Sequence, residues 1–170
     1  MGTCCPAGLL TPSIAAGRPG FGAVGFNSGE IWTAERLVGS QTALGAPVYL
    51  YVFDPGYPAA DSAGLHAFHA SELPYVFGIA DRITPAWPHP PSMPEEAALS
   101  AATMRCWTSF VRAGTPAAAG EPALPAFGSS HAYMAFGDRP KLADDLLPGM
   151  LGLQEAVTCR RRASGDTPWN

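Results

Sequence analysis

The segment APVYLYVFD, residues 46–54, places the strongest constraint on the fold. Its residues 48–53 are six apolar or aromatic strand formers in a row. A strand with one wet face would alternate with polar residues, so this pattern predicts a strand buried on both faces, as in a parallel sheet. The segment therefore predicts an α/β fold.

The stretch in front of this strand has the pattern of a βαβ unit. Residues 21–26 form a short apolar run broken by glycines, which predicts a buried strand feeding a loop. Residues 32–44 show near-helical apolar spacing, with Gly45 as a C-terminal stop. A right-handed crossover brings the ends of both strands to one sheet edge, where chemistry collects in open α/β folds. Glu30 and His69, which follow the two predicted strands, can then share that rim.

Three further elements are predicted downstream. Ser92 and Glu95 fit a capping box in front of a helix that runs to about Ala113. The run AYMAF, residues 132–136, predicts a short strand, and residues 149–160 predict a final helix. The chain as a whole holds 19 glycines and 18 prolines, many of them between the apolar segments. So much loop is unusual in a small domain and is more typical of a piece of a larger fold.

Composition excludes several classes of function. A net charge of −4 argues against a nucleic-acid binder, which would show a basic face. No apolar run is long enough to span a bilayer, and the first ten residues lack the pattern of a signal peptide. The compartment stays open, because the cysteines are too few and too irregular for a disulfide framework or a zinc site: Cys4, Cys5, Cys106 and Cys159.

The segment GLHAFHASELPYVFG, residues 64–78, holds the candidate chemistry. His66, His69 and Glu72 suggest metal ligands at first sight, but the histidines are three apart in a loop. The helical zinc signature has two histidines four apart, and no third strong ligand lies nearby. We therefore predict no metal and interpret His66 as a partly exposed loop histidine. A catalytic His69 would need a nucleophile and an orienting acid.

Four segments of this sequence resemble one known family. HASELPYVFG (69–78) resembles the catalytic-histidine motif of the type-B carboxylesterases, the family that includes the cholinesterases. VGFNSGEI (24–31) is similar to the segment of the triad glutamate, and PVYLYVFD (47–54) to the strand before the histidine loop. MRCWTSFVRAGTP (104–116) resembles a late helix of the family. The histidine motif is the most specific of the four.

The resemblance implies an α/β-hydrolase fold and ester hydrolysis through an acyl-enzyme, without metal or organic cofactor. It implies that His69 is the general base and Glu30 its orienting acid, while Glu72 is structural and paired within the loop. The implied substrate is a small-molecule carboxylic ester.

The sequence departs from the family pattern at the nucleophile. The triad order of α/β-hydrolases is serine, acid, histidine, with the serine on a Gly-x-Ser-x-Gly elbow. No such elbow precedes Glu30, and the earlier Ser13 has no elbow glycines around it. The run ADSAG around Ser62 approaches the pattern, but it follows a turn-rich loop and comes after the acid. In addition, only 39 positions separate Glu30 from His69, fewer than the family has.

We therefore expect an irregular segment at 1–20 and, at 21–170, the C-terminal part of an α/β-hydrolase fold that is inactive by itself. The alternative is a non-catalytic binding or interaction remnant of that fold. An open sheet edge would favour self-association in either case. A gene-model or assembly artefact is a third possibility, which the DNA upstream of Met1 would reveal.

Overall fold

A computed structural model describes residues 24–128, 130–147 and 149–165, with side chains from residue 31 onward. The predicted irregular segment at 1–20 lies outside the described residues. The elements are helices and strands in mixed order: α1 Val24–Ala43, β1 Leu50–Phe53, α2 Pro58–Ser62, α3 Leu73–Phe77, α4 Pro94–Ala113, β2 Tyr133–Phe136, β3 Pro140–Ala143 and α5 Met150–Ser164.

The described strands form one small mixed sheet in the order β1-β2-β3. β1 pairs with β2 in parallel, with Leu50 opposite Tyr133, and β3 adds to β2 in the antiparallel sense. The parallel pair confirms the kind of sheet that the run at 46–54 predicts. The long connection between β1 and β2 contains α4, which supplies the crossover that a parallel pair needs.

The start of the described chain corrects two predictions. Residues 24–26, assigned to a strand from the sequence, are the first turn of α1, and residues 21–23 lie outside the described residues. No proline interrupts the stretch, and each residue that joins the end of a helix adds one backbone hydrogen bond. The helix predicted at 32–44 therefore extends backwards through residues 24–31. The βαβ unit over residues 21–53 is therefore wrong, and Glu30 lies within α1 rather than after a strand.

The predicted burial of β1 on both faces is also wrong. Leu50 is buried, but the other three residues of the strand are half-buried. The physical reason is position: among the described strands β1 lies at the sheet edge, with β2 on one side only. Burial on both faces requires neighbours that this edge lacks.

The later helices follow the predictions with shifts at their starts. The capping box is wrong: Met93 precedes the first turn of α4 in extended conformation with no side-chain cap, and Pro94 occupies the first turn, which suits its fixed φ. α4 does end at Gly114, whose φ is +70°. The strand at 132–136 and the last helix are confirmed, and α5 runs on to Ser164. The short β3 was not predicted.

The core lies between α4 and the sheet. Six buried residues form it, with the aromatic side chains of Tyr49, Tyr51 and Phe53 packed against them: Tyr75, Leu99, Cys106, Leu124, Met134 and Phe136. α3 packs on α4, and α1 packs mainly on α5, with a smaller contact on β1. Because α3 follows His69 and packs on α4, the loop that carries His69 is attached to α4.

Candidate active site

His69 lies at the corner of a tight turn. The backbone N–H of Ser71 donates to the carbonyl of Phe68 at 2.9 Å, and the N–H of Phe68 donates to the Ser71 Oγ at 3.2 Å. Ala70 has a φ of +68°, in the left-handed region that favours glycine. His69 itself is exposed while Ser71 is buried. The turn thus presents the imidazole outward from a buried, hydrogen-bonded base.

The second half of the histidine motif anchors this turn. Tyr75 on α3 is 1% exposed, and its hydroxyl donates to the Glu96 Oε2 of α4 at 2.6 Å. The ring of Tyr75 packs on Phe53 with centroids 4.9 Å apart. Gly78 ends α3 with a φ of +62°, and a Cβ there would lie 2.8 Å from the sulfur of Met104. The aromatic residue and the glycine of the motif therefore have structural roles in docking the loop on α4.

A groove of about 600 Å³ connects the His69 loop with α1. His69 and Glu72 line one end of it, and Ile31 and Ala34 of α1 line the facing wall. Glu30 is the residue before Ile31 on this helix, and its side chain is outside the described part. The fold therefore brings α1 and the His69 loop to one groove, although by a route other than the predicted βαβ unit.

Within the loop that holds both motif histidines, the described carboxylate contacts belong to His66 rather than His69. The Nδ1 of His66 lies 2.8 Å from the Oδ1 of Asp61, and its Nε2 lies 3.5 Å from the Oδ1 of Asp54. A Cβ at Gly56 would lie only 2.1 Å from the imidazole, so glycine leaves room for the ring. The prediction that His66 is partly exposed is confirmed, since 41% of its side chain is accessible. Sequence reasoning missed its partners, for which the only signal was two aspartates in the same loop.

The structure differs from the expectation at Glu72 and agrees with it at Ser62, which was not expected to lie on an elbow. No hydrogen bond or ion pair within the described part of the chain involves the carboxylate of Glu72, which we expected to be paired in the loop. Burial, and next the charge of Glu72, raise the pKa of Tyr51. Ser62 is the exposed last residue of α2 and lies on no strand-to-helix elbow.

The described residues show neither a metal-ligand cluster nor a membrane-spanning helix. The described histidines, cysteines and carboxylates include no group of three that could hold a metal ion. No helix in the described ranges is long and apolar enough to cross a membrane.

Sequence relatives of this chain are carboxylesterases. Carboxylesterase 5A of Felis catus is 37% identical over 93 residues, which is 53% of this chain and 17% of the relative. Carboxylesterase 3 of Pongo abelii is 31% identical over 103 residues, or 57% of this chain and 18% of the relative. The chain thus spans less than a fifth of the length of these curated relatives.

Solved structures with the same fold are esterases. The carboxylesterase EST55 of Geobacillus stearothermophilus matches with a TM-score of 0.56 and 30% identity, over 69% of this chain and 24% of that one. An esterase of Clostridium hathewayi that can hydrolyse aliphatic aromatic polyesters matches with a TM-score of 0.62 over 72% of this chain and 24% of that one; at 22% identity it supports the fold alone.

The carboxylesterase family model matches residues 21–150, which is most of the chain. This match covers the glutamate segment, the histidine motif, α4 and β2. The architecture agrees, since the mixed sheet flanked by helices is shared with α/β-hydrolase carboxylesterases. This chain belongs to the carboxylesterase family.

Proposed function

We propose that this chain supplies the histidine and the acid of a serine carboxylesterase, with His69 as general base and Glu30 as its orienting acid. The observation that carries the proposal is the family match across both motifs, residues 21–150. The exposed position of His69 on an anchored turn, at the end of a groove that α1 also lines, supports it.

In this function His69 would take the proton of an attacking serine hydroxyl and return it to the departing alcohol. Glu30 would hold the imidazole in the tautomer that accepts at the nitrogen facing the serine, and would stabilise the imidazolium. The first step breaks the acyl C–O bond of the substrate ester, forms an acyl-serine and releases the alcohol. In the second step water breaks the acyl-serine bond and releases the carboxylic acid and the serine hydroxyl. No cofactor enters these steps.

The serine and the oxyanion hole have to come from outside the residues of this sequence. The sequence contains no Gly-x-Ser-x-Gly elbow. Ser62 ends the short helix α2 and does not lie on a turn between a strand and a helix. Loss of a single oxyanion-hole donor already lowers kcat by about 10²- to 10³-fold in serine hydrolases. We therefore propose that the chain alone has little or no esterase activity.

Incubating the purified chain with a p-nitrophenyl ester and a fluorophosphonate probe tests this inactivity. We expect neither turnover above the uncatalysed rate nor covalent labelling of a serine. Labelling that disappears in Ser62→Ala, together with turnover that disappears in His69→Ala, would establish Ser62 as a nucleophile and contradict the proposal.

The roles of His69 and Glu30 are best tested in a chimera. Residues 21–150 would replace the matching quarter of the Geobacillus esterase EST55, which supplies the rest of the domain. In an active chimera, we expect His69→Ala and Glu30→Gln each to lower kcat by about 10⁴-fold. His66→Gln is the matched control and should keep most of the activity. Equal losses for His66 and His69 would contradict the assignment.

The alternative function is a non-catalytic binding module. One observation favours it: the groove along β1 is lined by apolar side chains and open to solvent. A chain that is inactive in the chimera yet binds a partner through this groove would favour this alternative.

A further inference from the structure

The helix that carries Glu30 is held from the side that faces away from the His69 loop. On α1, Ala34 and Leu37 line the groove toward that loop. Trp32 and Arg36 lie two positions before and after Ala34, and two positions turn an α-helix by about 200°. These two residues are therefore on the face of α1 opposite the groove, where α5 packs.

One carboxylate of α5 accepts hydrogen bonds from both side chains. The Arg36 guanidinium donates to both oxygens of Glu155, at 2.9 and 2.8 Å, and the Trp32 Nε1 donates to the Oε2 at 3.2 Å. The guanidinium also lies over the Trp32 indole, 5.3 Å from the ring centroid. Hydrogen bonds are directional, so bonds from two successive turns of α1 to one acceptor fix both the rotation of α1 about its axis and its position along α5.

Other described contacts of α1 fix its position less closely. The packing of α1 on β1 is smaller than its packing on α5, and Leu37 on the groove side is 60% exposed. The ion pair between Glu35 and His131 spans 3.7 Å, which is beyond the ordinary length of a hydrogen bond. Apolar contact is non-directional. The bonds to Glu155 are therefore the most directional of these contacts.

The placement of α1 matters because of residue 30. Position 30 precedes Ala34 by four residues and Leu37 by seven, and residues at these spacings lie on one side of a helix. His69 lines the same groove from a loop that is attached to α4. A rotation or a shift of α1 would therefore move position 30 relative to His69.

We propose that Glu155 is a positioning residue, which holds α1 in the rotation and register that bring position 30 toward His69. This inference rests on the proposed function, in which Glu30 orients the imidazole of His69. Glu155 acts only through α1. It lies on α5, which begins at Met150, the last residue of the family match. The family motif thus supplies the acid, and the helix that follows the matched region sets its position.

The exposure of this contact separates positioning from stability. More than a third of each charged side chain, Arg36 and Glu155, is accessible. Solvent screens such a pair, so its loss is expected to leave the fold intact. An effect of Glu155 variants on the geometry between α1 and the His69 loop would therefore report the placement of α1.

Crosslinking tests this placement in the full chain. Glu30→Cys and His69→Cys introduce one thiol on α1 and one on the loop, and Cys4 and Cys5 are replaced by serine in every variant. The two native cysteines that the structure describes are buried. We expect a short dimaleimide to join the introduced thiols, and Glu155→Ala to slow this reaction at least about fivefold. Glu155→Gln keeps one acceptor oxygen and should give an intermediate rate.

A matched control comes from an ion pair that does not involve α1. Glu121→Gln removes the partner of Arg105 on α4, 3.8 Å away, and should leave the crosslinking rate unchanged. Equal rates with and without Glu155→Ala would overturn the positioning role, and so would an equal slowing by Glu121→Gln. A parent pair that does not crosslink would mean that position 30 is out of reach of His69, which contradicts the proposed function itself.

Kinetics test the consequence for catalysis. The EST55 chimera is extended to residue 165 so that it includes α5. We expect Glu155→Ala to lower kcat about tenfold and to leave KM within about twofold, because a misplacement of about 1 Å can cost about 10²-fold. In the Glu30→Gln chimera the same change should have no further effect, because the group that Glu155 positions is gone.

The double variant separates the two ways in which the inference can fail. If Glu30→Gln alone leaves kcat unchanged, Glu30 is not the orienting acid and the proposed function fails together with the inference. If Glu30→Gln lowers kcat but Glu155→Ala does not, only the positioning role is overturned. An equal loss from Glu155→Ala in both backgrounds would also overturn it, since a general loosening of the fold does not depend on Glu30.

Discussion

The two sides of the strand β1 differ in how completely they are packed. Toward β2 and α4, the strand meets a buried core with Met134 and Phe136, and α3 attaches the His69 loop to the same side. Toward α1, it meets an open groove with exposed leucine and aromatic side chains. The helix that carries Glu30 is thus attached mainly to α5, and the histidine loop to the core. The two candidate catalytic residues therefore depend on separate sets of contacts.

The largest expected effect separates a core residue from a groove residue. Met134 is 2% exposed, whereas Leu37 is 60% exposed. Met134→Ala should lower the free energy of unfolding by about 3 kcal/mol, because it leaves a cavity between the sheet and α4. Leu37→Ala should lower it by less than about 0.5 kcal/mol. Urea denaturation followed by fluorescence measures both, and similar losses would mean that the groove side is packed as tightly as the core.

The next effect concerns the anchor of the His69 loop. Burial, and next the hydrogen bond to Glu96, raise the pKa of Tyr75 well above its usual value. Tyr75→Phe should lower the free energy of unfolding by about 1.5 kcal/mol, since the Glu96 carboxylate loses its donor. Tyr49→Phe, on the open edge, is the control and should change it little.

The raised pKa of Tyr75 also predicts a pH dependence. The unfolded chain releases this proton near pH 10, whereas the folded chain retains it to higher pH. The stabilisation is therefore complete below about pH 10 and is lost as the pH rises through and beyond that value. Denaturation midpoints from pH 8 to 11 should fall more steeply for the unchanged chain than for Tyr75→Phe. Parallel slopes would contradict the prediction.

A smaller effect tests the strained turn that presents His69. Ala70 has a φ of +68°, whereas Ala63 at the end of α2 has a φ of −84°. Ala70→Gly should leave the free energy of unfolding unchanged or raise it by up to about 1 kcal/mol, because glycine adopts positive φ without strain. Ala63→Gly should lower it by about 0.5 to 1 kcal/mol. Thermal denaturation of the pair measures the difference in sign, and a loss at both positions would argue against strain in the turn.

The smallest effect lies on the groove side, where α1 meets α5. The Arg36 guanidinium donates to both oxygens of Glu155 at 2.9 and 2.8 Å, and the Trp32 Nε1 donates at 3.2 Å. Both charged side chains are more than a third exposed. Glu155→Gln should lower the free energy of unfolding by about 0.5 kcal/mol, and the difference should shrink in 1 M salt. A loss that salt leaves unchanged would show that the contact is more than a surface ion pair.

Much of the fold follows from local pattern. The run at 46–54 predicts a strand in parallel pairing, and the glycine at 114 marks the end of α4, because both depend on residues close together in the chain. The same reasoning fails at residues 24–30, where a glycine-broken apolar run suits either a strand or the start of a helix. It also fails for the burial of β1, which depends on how many strands lie beside it.

The two histidines show the same division. A motif of ten residues assigns His69 to a chemistry, and no other part of the chain is needed for that inference. The sequence by itself thus determined the family, the parallel strand and the candidate proton-transfer residue. Only the tertiary structure decided that His66 meets two carboxylates, that α1 shares a groove with the His69 loop, and that β1 has a free edge. These features depend on distances between segments remote in sequence, which local periodicity and spacing do not encode.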